Sequence, residues 1–327
     1  MNSSEPARRA GSATIDRLIR SAWIGDDDLA SRFLRFFVGA HAVGWVTPSF
    51  ADVLRRWPEV FAQSDGIVRF TPAVGNRACA NAILAGVVSD LATDGVVTGW
   101  RFELYPIRAD IDCDSKPLLH VERAAARAFG ITSDAVHVNG FVASGGCPRA
   151  LWIGRRATNK SIDPGMRDNM IGGGVPAELS VRETLIKEAW EEAGLEAVVA
   201  SDATPGRRLR IRRIVPEGLQ SESIHVHDLV LPPDIVPCNQ DGEVSAFERI
   251  DIADVIAFLE RERNVSDVGD VGDSDPMTVD ASLVTLDWLE RHRFVVLPDS
   301  DACRAVYGCT LPHVAPSPND GQLPHRS

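Results

Sequence analysis

The stretch GGGVPAELSVRETLIKEAWEEAGL, residues 172–195, carries the strongest structural signal in this chain. Ser180 stands three residues before Glu183, which is the spacing of a capping box at a helix N-terminus. Gly194 is the residue type that most often ends a helix. The sequence therefore predicts a helix over roughly residues 181–193, entered through a glycine-rich connection.

Three glutamates, Glu188, Glu191 and Glu192, crowd the last turns of this predicted helix. At about 100° per residue they share an arc of roughly 100°, beside apolar positions that can pack on a sheet. Like charges at this spacing repel by a few tenths of a kcal/mol per pair, and negative charge at a helix C-terminus opposes the macrodipole. A solvated helix face is one interpretation of such a charge run. The other is a cation site, because carboxylates are the ligands that Mg²⁺ and Mn²⁺ select.

Composition favours a soluble globular enzyme, with 44% hydrophobic and 24% charged residues among 327. A net charge of −12 argues against binding to nucleic acid or to an anionic membrane, and no apolar run is long enough to span a bilayer. The six cysteines are scattered and the polar N-terminus lacks an apolar leader, so we expect free thiols and a cytoplasmic protein.

The hydrophobic patterns predict a smaller α+β domain followed by a larger α/β domain. A segment rich in Asp and Gly, residues 264–275, lacks the spacing of an EF-hand loop and is interpreted as an exposed linker. The predicted segments are a flexible tail (1–14), the N-terminal domain (15–112), the main domain (113–262), a linker (263–276), a C-terminal helix with an extension (277–312) and a disordered tail (313–327).

The opening stretch resembles the Nudix box, G-x5-E-x7-R-E-U-x-E-E-x-G-U, in which U is aliphatic. The match starts at Gly173 and includes the three glutamates, but Leu179 replaces the first glutamate of the pattern and Lys187 replaces the arginine. The segments HVNGFV, LWIGRRATNKSIDPGMRDNMIGGGVP, HVHDLVLP and NQDGEVSAF occur around it in order. They are similar to one branch of the family, related to the Nudix part of fungal thiamine pyrophosphokinase, whose members carry an N-terminal domain of unknown role.

The resemblance implies an α/β fold, the Nudix α/β/α sandwich with a mixed sheet, preceded by a smaller α+β domain. It implies hydrolysis of a diphosphate bond in a small-molecule substrate by a metal-activated water, with Mg²⁺ (or Mn²⁺) as the cofactor. Carried onto this sequence, Glu188, Glu191 and Glu192 become metal ligands and catalytic residues, and Lys187 orients a neighbouring glutamate. Gly173, Gly174 and Gly194 become the glycines of the Nudix loop and helix end.

Residues outside the box are weaker candidates. Glu243 is the predicted general base, and an exposed turn acid is the equally favoured alternative for it; Asp241 is a weaker candidate. The predicted substrate-binding residues are cations that suit phosphate, and two polar residues before the glycines: Arg155, Arg156, Lys160, Asp168 and Asn169. His225 and His227 share one face of a predicted strand, where ordinary strand histidines are the preferred interpretation over metal ligands.

The branch that the sequence resembles suggests the substrate. Its members are associated with removing one phosphate from thiamine diphosphate and, better, from its damaged oxy and oxo forms, which leaves the monophosphate. A nucleoside diphosphate sugar or a dinucleotide is the rival substrate. Isopentenyl diphosphate isomerisation is a further alternative, but nothing near Cys147 resembles the isomerase pattern. A degenerate Nudix module that binds without catalysis is the non-enzymatic alternative, motivated by the missing glutamate at Leu179.

Overall fold

A computed structural model describes residues 9–10, 13–109, 115–160, 162–261 and 276–308. The predicted linker, except for its last residue, lies outside the described residues, as do the predicted C-terminal tail and most of the N-terminal tail. No helix in the described part of the chain combines the length and the apolar content that a bilayer crossing needs.

The first part of the chain builds a four-stranded sheet with helices against it. Its sheet has the order β3-β2-β5-β4, in which β2 and β5 run parallel and the other pairs run antiparallel. A separate antiparallel hairpin, β6–β7, follows it. The elements in chain order are β1 (Arg9–Ala10), α1 (Ala13–Ser21), α2 (Asp26–Ala30), β2 (Leu34–Val38), β3 (His41–Val46), α3 (Pro48–Leu54), β4 (Phe61–Ser64), β5 (Ile67–Phe70), α4 (Arg77–Thr93), β6 (Leu104–Ile107), β7 (Leu119–Glu122), a 3₁₀ turn (Arg123–Ala125) and α5 (Ala126–Phe129).

A cluster of aromatic rings forms the core of this small domain. Phe129 packs on Phe36 with ring centroids 5.1 Å apart, and on Phe61 at 6.1 Å. Val121 and Ile131 belong to the same core. The predicted boundary at residues 112 and 113 is therefore wrong, because the segment up to about residue 131 buries its apolar side chains in the small domain.

The second part builds a seven-stranded mixed sheet. Its central path is β10-β9-β8-β13-β12, with β11 paired to β8 and β14 paired to β9. The pair β8–β13 is parallel and the other pairs are antiparallel. The elements are β8 (Thr132–Ser144), β9 (Cys147–Arg156), β10 (Arg167–Asp168), β11 (Ile171–Gly174), α6 (Val181–Ala193), α7 (Ala197–Ala200), β12 (Thr204–Val215), β13 (Gly218–Val230), β14 (Val244–Asp251), α8 (Ile252–Leu259), α9 (Val279–Arg291), β15 (Val295–Val296) and α10 (Asp301–Tyr307).

Strand alternation separates two apolar faces of this sheet. Val136 and Val138 of β8 and Trp152 of β9 face α6, whereas Leu151 and Ile153 face a layer that contains α8, α9 and α10. The predicted α/β/α sandwich with a mixed sheet is confirmed. The interpretation of Trp152 as a core residue also agrees with its burial.

The first and last elements that the structure describes belong to the large sandwich. Ile15, Leu18 and Ile19 of α1 are buried with α9 and α10, and β1 pairs with β15 in parallel. The sequence prediction assigned α1 to the N-terminal domain, and that assignment is wrong. The predicted C-terminal helix, α9, is an integral part of the sandwich, because every residue from Ala281 to Leu289 is buried between the sheet and the neighbouring helices.

Candidate active site

Helix α6 is fixed at its start by the predicted capping box. Ser180 Oγ accepts a hydrogen bond from the Glu183 amide at 3.2 Å, and Glu183 Oε2 accepts one from the Ser180 amide at 2.8 Å. At the other end Gly194 has φ +64°, and a Cβ there would lie 2.6 Å from the Cys238 carbonyl oxygen. Both the backbone conformation and the lack of space therefore require glycine at the helix end.

A loop over residues 238–243 caps the C-terminal end of α6. The amides of Cys238 and Gln240 donate to the carbonyls of Ala193 and Glu191, each at 2.9 Å. The loop thereby supplies donors to carbonyls that the helix itself leaves unsatisfied. Sequence reasoning took this loop only as the carrier of Glu243 and missed its capping role, for which the Asn and Asp-Gly turn residues were the available signal.

The acidic end of α6 packs directly on the glycine strand β11. The Gly172 amide donates to Glu192 Oε2 at 2.7 Å, and a Cβ on Gly173 would lie 2.5 Å from the Glu188 carboxyl carbon. Glu192 is only 6% exposed and the Glu188 side chain 13%. The glycines of β11 therefore let two carboxylates settle against backbone rather than in open solvent.

Burial makes these two carboxylates hard to ionise. Desolvation, and then repulsion from Glu188, raises the pKa of Glu192 well above its ordinary value. Desolvation also raises the pKa of Glu188, although Lys187 opposes that shift. Neighbouring buried carboxylates need a positive partner to remain charged together. Their oxygen atoms are suitable donors for Mg²⁺ or Mn²⁺, so the donor chemistry fits the implied ion.

The Glu191 side chain is more exposed to solvent than those of the two buried acids. Lys187 Nζ lies 2.6 Å from Glu191 Oε2 and 3.1 Å from Glu188 Oε1, which is the contact expected if Lys187 orients neighbouring glutamates. Within the described ranges, no three acidic, His or Cys side chains converge as a ready metal-ligand group. A three-carboxylate ligand set therefore requires Glu191 to exchange the Lys187 ammonium for the ion.

Glu243 lies beside two cations. Its carboxylate pairs with Lys160, and its Oε1 lies 3.6 Å from Arg101 Nη1. Burial would raise the pKa of Glu243, but the hydrogen bond and charge of Lys160, with Arg101, outweigh burial and lower it. Glu243 is thus held as the anion, the form that accepts a proton, but with reduced basicity. Its general-base role stays a prediction. The exposed Asp241 accepts a hydrogen bond from the Glu243 amide at 2.8 Å, within the same turn.

The predicted phosphate-binding cations do not share one face. Arg156 and Lys160 line a cavity of about 190 Å³. Arg155 is one residue away on the same strand and so lies on the opposite side of the sheet. There its guanidinium donates to the Gly165 carbonyl at 3.0 Å and pairs with Glu248 at 3.5 Å. The structure therefore does not bring Arg155 together with the other two predicted phosphate-binding cations.

Asp168 and Asn169 serve the structure around the site. Asp168 Oδ2 accepts a hydrogen bond from Arg156 Nη1 at 2.8 Å, so any effect of Asp168 on a ligand passes through Arg156. Asn169 is 3% exposed, and its amide group contacts His137 Nδ1 at 2.8 Å and Thr285 Oγ1 at 3.2 Å. The prediction of Asn169 as a substrate contact is wrong, because its side chain links β8 to α9 in the interior.

The strand histidines lie together, as their spacing predicted, but each has an ordinary partner. His225 Nε2 is 3.0 Å from Asp134 Oδ1, and His227 Nδ1 is 3.2 Å from the His225 carbonyl. Arg108 also pairs with Asp134, at 3.2 Å. The preferred interpretation as structural strand histidines agrees with these contacts.

The small domain contacts the glycine strand, which sequence reasoning missed entirely. The Ala177 amide donates to the Leu104 carbonyl at 2.7 Å. The Tyr105 hydroxyl occupies the space that a Cβ on Gly174 would need. Arg123, which follows the same hairpin, lies with its guanidinium 5.6 Å from the Tyr105 ring centroid. Attraction to Tyr105, Glu103 and Glu188 outweighs the effect of burial and raises the pKa of Arg123.

Comparisons with known proteins agree with this two-part organisation. Residues 17–133 match a family described as "Domain of unknown function (DUF4743)", and residues 135–268 match the NUDIX domain. Nudix hydrolase 20, chloroplastic, from Arabidopsis thaliana is 31% identical over 284 residues, covering 84% of this chain and 72% of that protein. Nudix hydrolase 24, chloroplastic, from the same plant is 32% identical over 277 residues, with the same two coverages.

A crystal structure of DR0079 from Deinococcus radiodurans is also similar, with 18% identity and a TM-score of 0.40. The match covers 57% of this chain and 99% of that chain. The first family match ends at residue 133, close to where the aromatic core of the small domain ends.

The contact between Gly174 and Tyr105 gives a stability prediction. Gly174→Ala places a methyl group against the Tyr105 hydroxyl and should lower the free energy of unfolding by about 1–3 kcal/mol. Tyr105→Phe removes that hydroxyl, so it should restore part of the loss in the double variant. Urea denaturation of the four proteins measures the coupling. Gly86→Ala in α4 is the matched control, because open space surrounds that glycine. Equal effects of Gly174→Ala in the Tyr and Phe backgrounds would contradict the contact.

The buried carboxylates give a prediction about pH. The folded state raises the pKa of Glu192 above the ordinary 4.5, so in the window above that value it binds more protons than the unfolded state. Stability therefore falls as pH rises through the raised pKa. In chelator, Glu192→Gln should melt at or above the parent at neutral pH, and the advantage should shrink as pH falls. Added Mg²⁺ should raise the melting temperature of the parent more than that of the variant. Thermal melts between pH 5 and 8 check this, and a variant that melts lower at neutral pH in chelator would refute it.

Proposed function

This chain belongs to the Nudix hydrolase family, which acts on diphosphate-containing substrates, and we propose that it cleaves the diphosphate bond of a small-molecule substrate with the aid of Mg²⁺ or Mn²⁺. The observation that carries the proposal is the buried pair of Glu188 and Glu192 on the glycine strand. Two carboxylates with raised pKa values and repulsion between them are an unfavourable arrangement for stability alone. A divalent cation offsets that repulsion.

Glu188 and Glu192, joined by Glu191 once Lys187 releases it, would hold the ion. When bound, the ion supplies charge neutralisation for the phosphates and activation of water. Lys187 balances the acids before the ion arrives, because its ammonium contacts Glu191 and Glu188. Its pKa is raised by these two partners despite the opposing effect of burial, so it stays charged throughout the neutral range.

The cavity next to this acidic end supports binding of an anion. Arg156 and Lys160 line it, and the guanidinium of Arg156 is held in place by Asp168 and by the carbonyls of Ile162 and Asp163. A guanidinium fixed in this way loses little conformational freedom when it binds phosphate. Glu243 also lines this cavity and pairs with Lys160. In that position it can accept a proton from water.

Leu179 stands where the Nudix box has its first glutamate, and this replacement bears on whether the protein is catalytic. Leu179 lies half-buried in the turn before α6, where its amide donates to the Pro176 carbonyl at 3.2 Å. The missing carboxylate removes one potential partner of the metal site, but the buried pair and its glycine strand are present. We therefore favour catalysis over a degenerate binding module.

Thiamine diphosphate and its oxy and oxo forms are the substrates that we propose to test first. The support is the ordered set of segments that resemble the thiamine-associated branch, from HVNGFV to NQDGEVSAF. A nucleoside diphosphate sugar or a dinucleotide is the alternative. We further propose a cytoplasmic location, supported by the six scattered cysteines, which suit a reducing compartment. The two plant relatives are named chloroplastic.

Loss of either ligand carboxylate should abolish most turnover. Glu191→Gln and Glu192→Gln are each expected to lower kcat by at least about 100-fold, because the ion stabilises transition-state charge by several kcal/mol. Phosphate release from the best substrate, in Mg²⁺, is the measurement. Glu196→Gln is the matched control, since Glu196 is exposed just beyond α6. Unchanged turnover in either ligand variant, with the control also unchanged, would remove the metal-ligand assignment.

The substrate proposal predicts an order of preference. Oxothiamine or oxythiamine diphosphate should have a higher kcat/KM than thiamine diphosphate. The cations Arg156 and Lys160 disfavour the thiazolium charge, which the oxo form lacks. The oxy form exchanges an amino donor for a carbonyl, and a hydrogen-bond mismatch of this kind is worth about 1–3 kcal/mol. Competition among the three diphosphates and a nucleoside diphosphate sugar in one tube measures the order. Prior consumption of the sugar nucleotide would eliminate the thiamine substrate and leave the family assignment intact.

A further inference from the structure

The small domain and the large sandwich share the wall of one cavity. From the small domain come Arg101, Tyr105 and Arg123, and from the sandwich come Arg156, Lys160 and Glu243. The hairpin β6–β7 fixes the first group in place, because its Leu104 carbonyl and Tyr105 ring contact the chain around the glycine strand. A second contact, between Arg127 and Glu217 at 3.7 Å, joins the domains on another side of the cavity.

The two small-domain arginines keep hydrogen-bonding capacity toward the cavity. Arg101 approaches Glu243 with one guanidinium nitrogen at 3.6 Å. Arg123 uses one nitrogen for Glu103 at 2.7 Å. Each side chain is 41% exposed although it lines a concave wall. A guanidinium carries five N–H donors, so both residues have donors left for a ligand.

The composition of the wall points to an anion. Five cationic side chains line the wall against three acidic ones, which leaves an excess of positive charge: Arg101, Arg123, Arg127, Arg156 and Lys160 against Glu217, Glu222 and Glu243. Glu243 contacts both Lys160 and Arg101 and so draws the two domains' cations together. Planar guanidinium groups bind phosphate oxygens in pairs of parallel hydrogen bonds. The volume of about 190 Å³ is below the roughly 300–1,000 Å³ of pockets that enclose a whole drug-sized ligand, which suits one end of a substrate.

We propose that the small domain is part of the substrate site, and that Arg101 and Arg123 bind a phosphate of the diphosphate substrate opposite Arg156 and Lys160. The proposal rests on the proposed hydrolase function for the identity of the ligand. It assigns a role to a domain whose family carries no described function. It also explains why the hairpin β6–β7 contacts the strand beneath the acidic helix.

Binding of inorganic pyrophosphate to the full chain tests the proposal. Calorimetric titrations would use the parent, Arg101→Gln, Arg123→Gln and the double variant, once in chelator and once in Mg²⁺. Removing a charged donor should weaken binding by about tenfold to a hundredfold for each single variant, and further in the double variant. Arg55→Gln is the matched control, because Arg55 belongs to the small domain, directly follows α3 and does not line the cavity. It should bind as the parent does.

A second readout separates ligand binding from a merely structural role. Arg101→Lys keeps the charge but loses the planar fork, and it should recover part of the affinity that Arg101→Gln loses. With an accepted diphosphate substrate, the glutamine variants should raise KM more than they lower kcat, as expected when a group binds the ground state and the transition state alike. Thermal melts of each variant show whether the fold is retained at the assay temperature.

The outcomes distinguish this proposal from the hydrolase function. Parent-like pyrophosphate binding in both folded glutamine variants, or no binding to the parent in either condition, would overturn the role of the small domain. A different result would contradict the hydrolase function, namely the absence of phosphate release by the parent from any diphosphate compound in Mg²⁺. Weakened pyrophosphate binding in the variants would still support the anion site in that case.

Discussion

The burial of Glu192 against the Gly172 amide is the constraint on which the site depends. A carboxylate that is 6% exposed and lies near a second acid needs a donor, a fixed helix and a counter-charge. The Gly172 amide is the donor. The capping box at Ser180 and the left-handed Gly194 fix the helix. Lys187 forms ion pairs with Glu188 and Glu191, so the strongest remaining demand for positive charge is at Glu192, the most buried of the three helix glutamates.

Features that depend on neighbours in the chain were predictable from the sequence. The bounds of α6 follow from Ser180, Glu183 and Gly194, each of which acts within a few residues. The domain boundary depends instead on packing between distant segments. The apolar positions around Phe129 suit either domain as a pattern, and only contact with Phe36 and Phe61 assigns them to the small one. Likewise, α1 packs on the C-terminal helices. The hydrophobic pattern of α1 itself does not show which part of the chain it packs against.

In the candidate site, too, the features set by nearby residues were predictable and those set by distant segments were not. The three glutamates share a helix face, so the helical period brings them together. Arg155 and Arg156 are adjacent on a strand, and the period of two should have separated them once β9 was recognised. Arg101 and Arg123 were beyond sequence reasoning. They flank a hairpin in another domain, and only the docking of Tyr105 on Gly174 brings that hairpin to the glycine strand.

The charge distribution reconciles an acidic protein with an anionic substrate. A net charge of −12 repels polyanions at long range, but screening limits that repulsion to about 10 Å at ordinary ionic strength. Inside the cavity the nearest charges decide, and there Arg101, Arg123 and Arg156 belong to a lining in which cations outnumber acids. Beside them Glu188 and Glu192 demand a cation. A ligand that carries phosphates together with a divalent ion would complement both the cationic cavity wall and the acidic end of α6. A phosphate without an ion would complement only the cavity wall, and an ion without a phosphate only the acidic end of the helix. Under the proposed function, the two-domain arrangement would therefore favour the ion–diphosphate complex over either component alone.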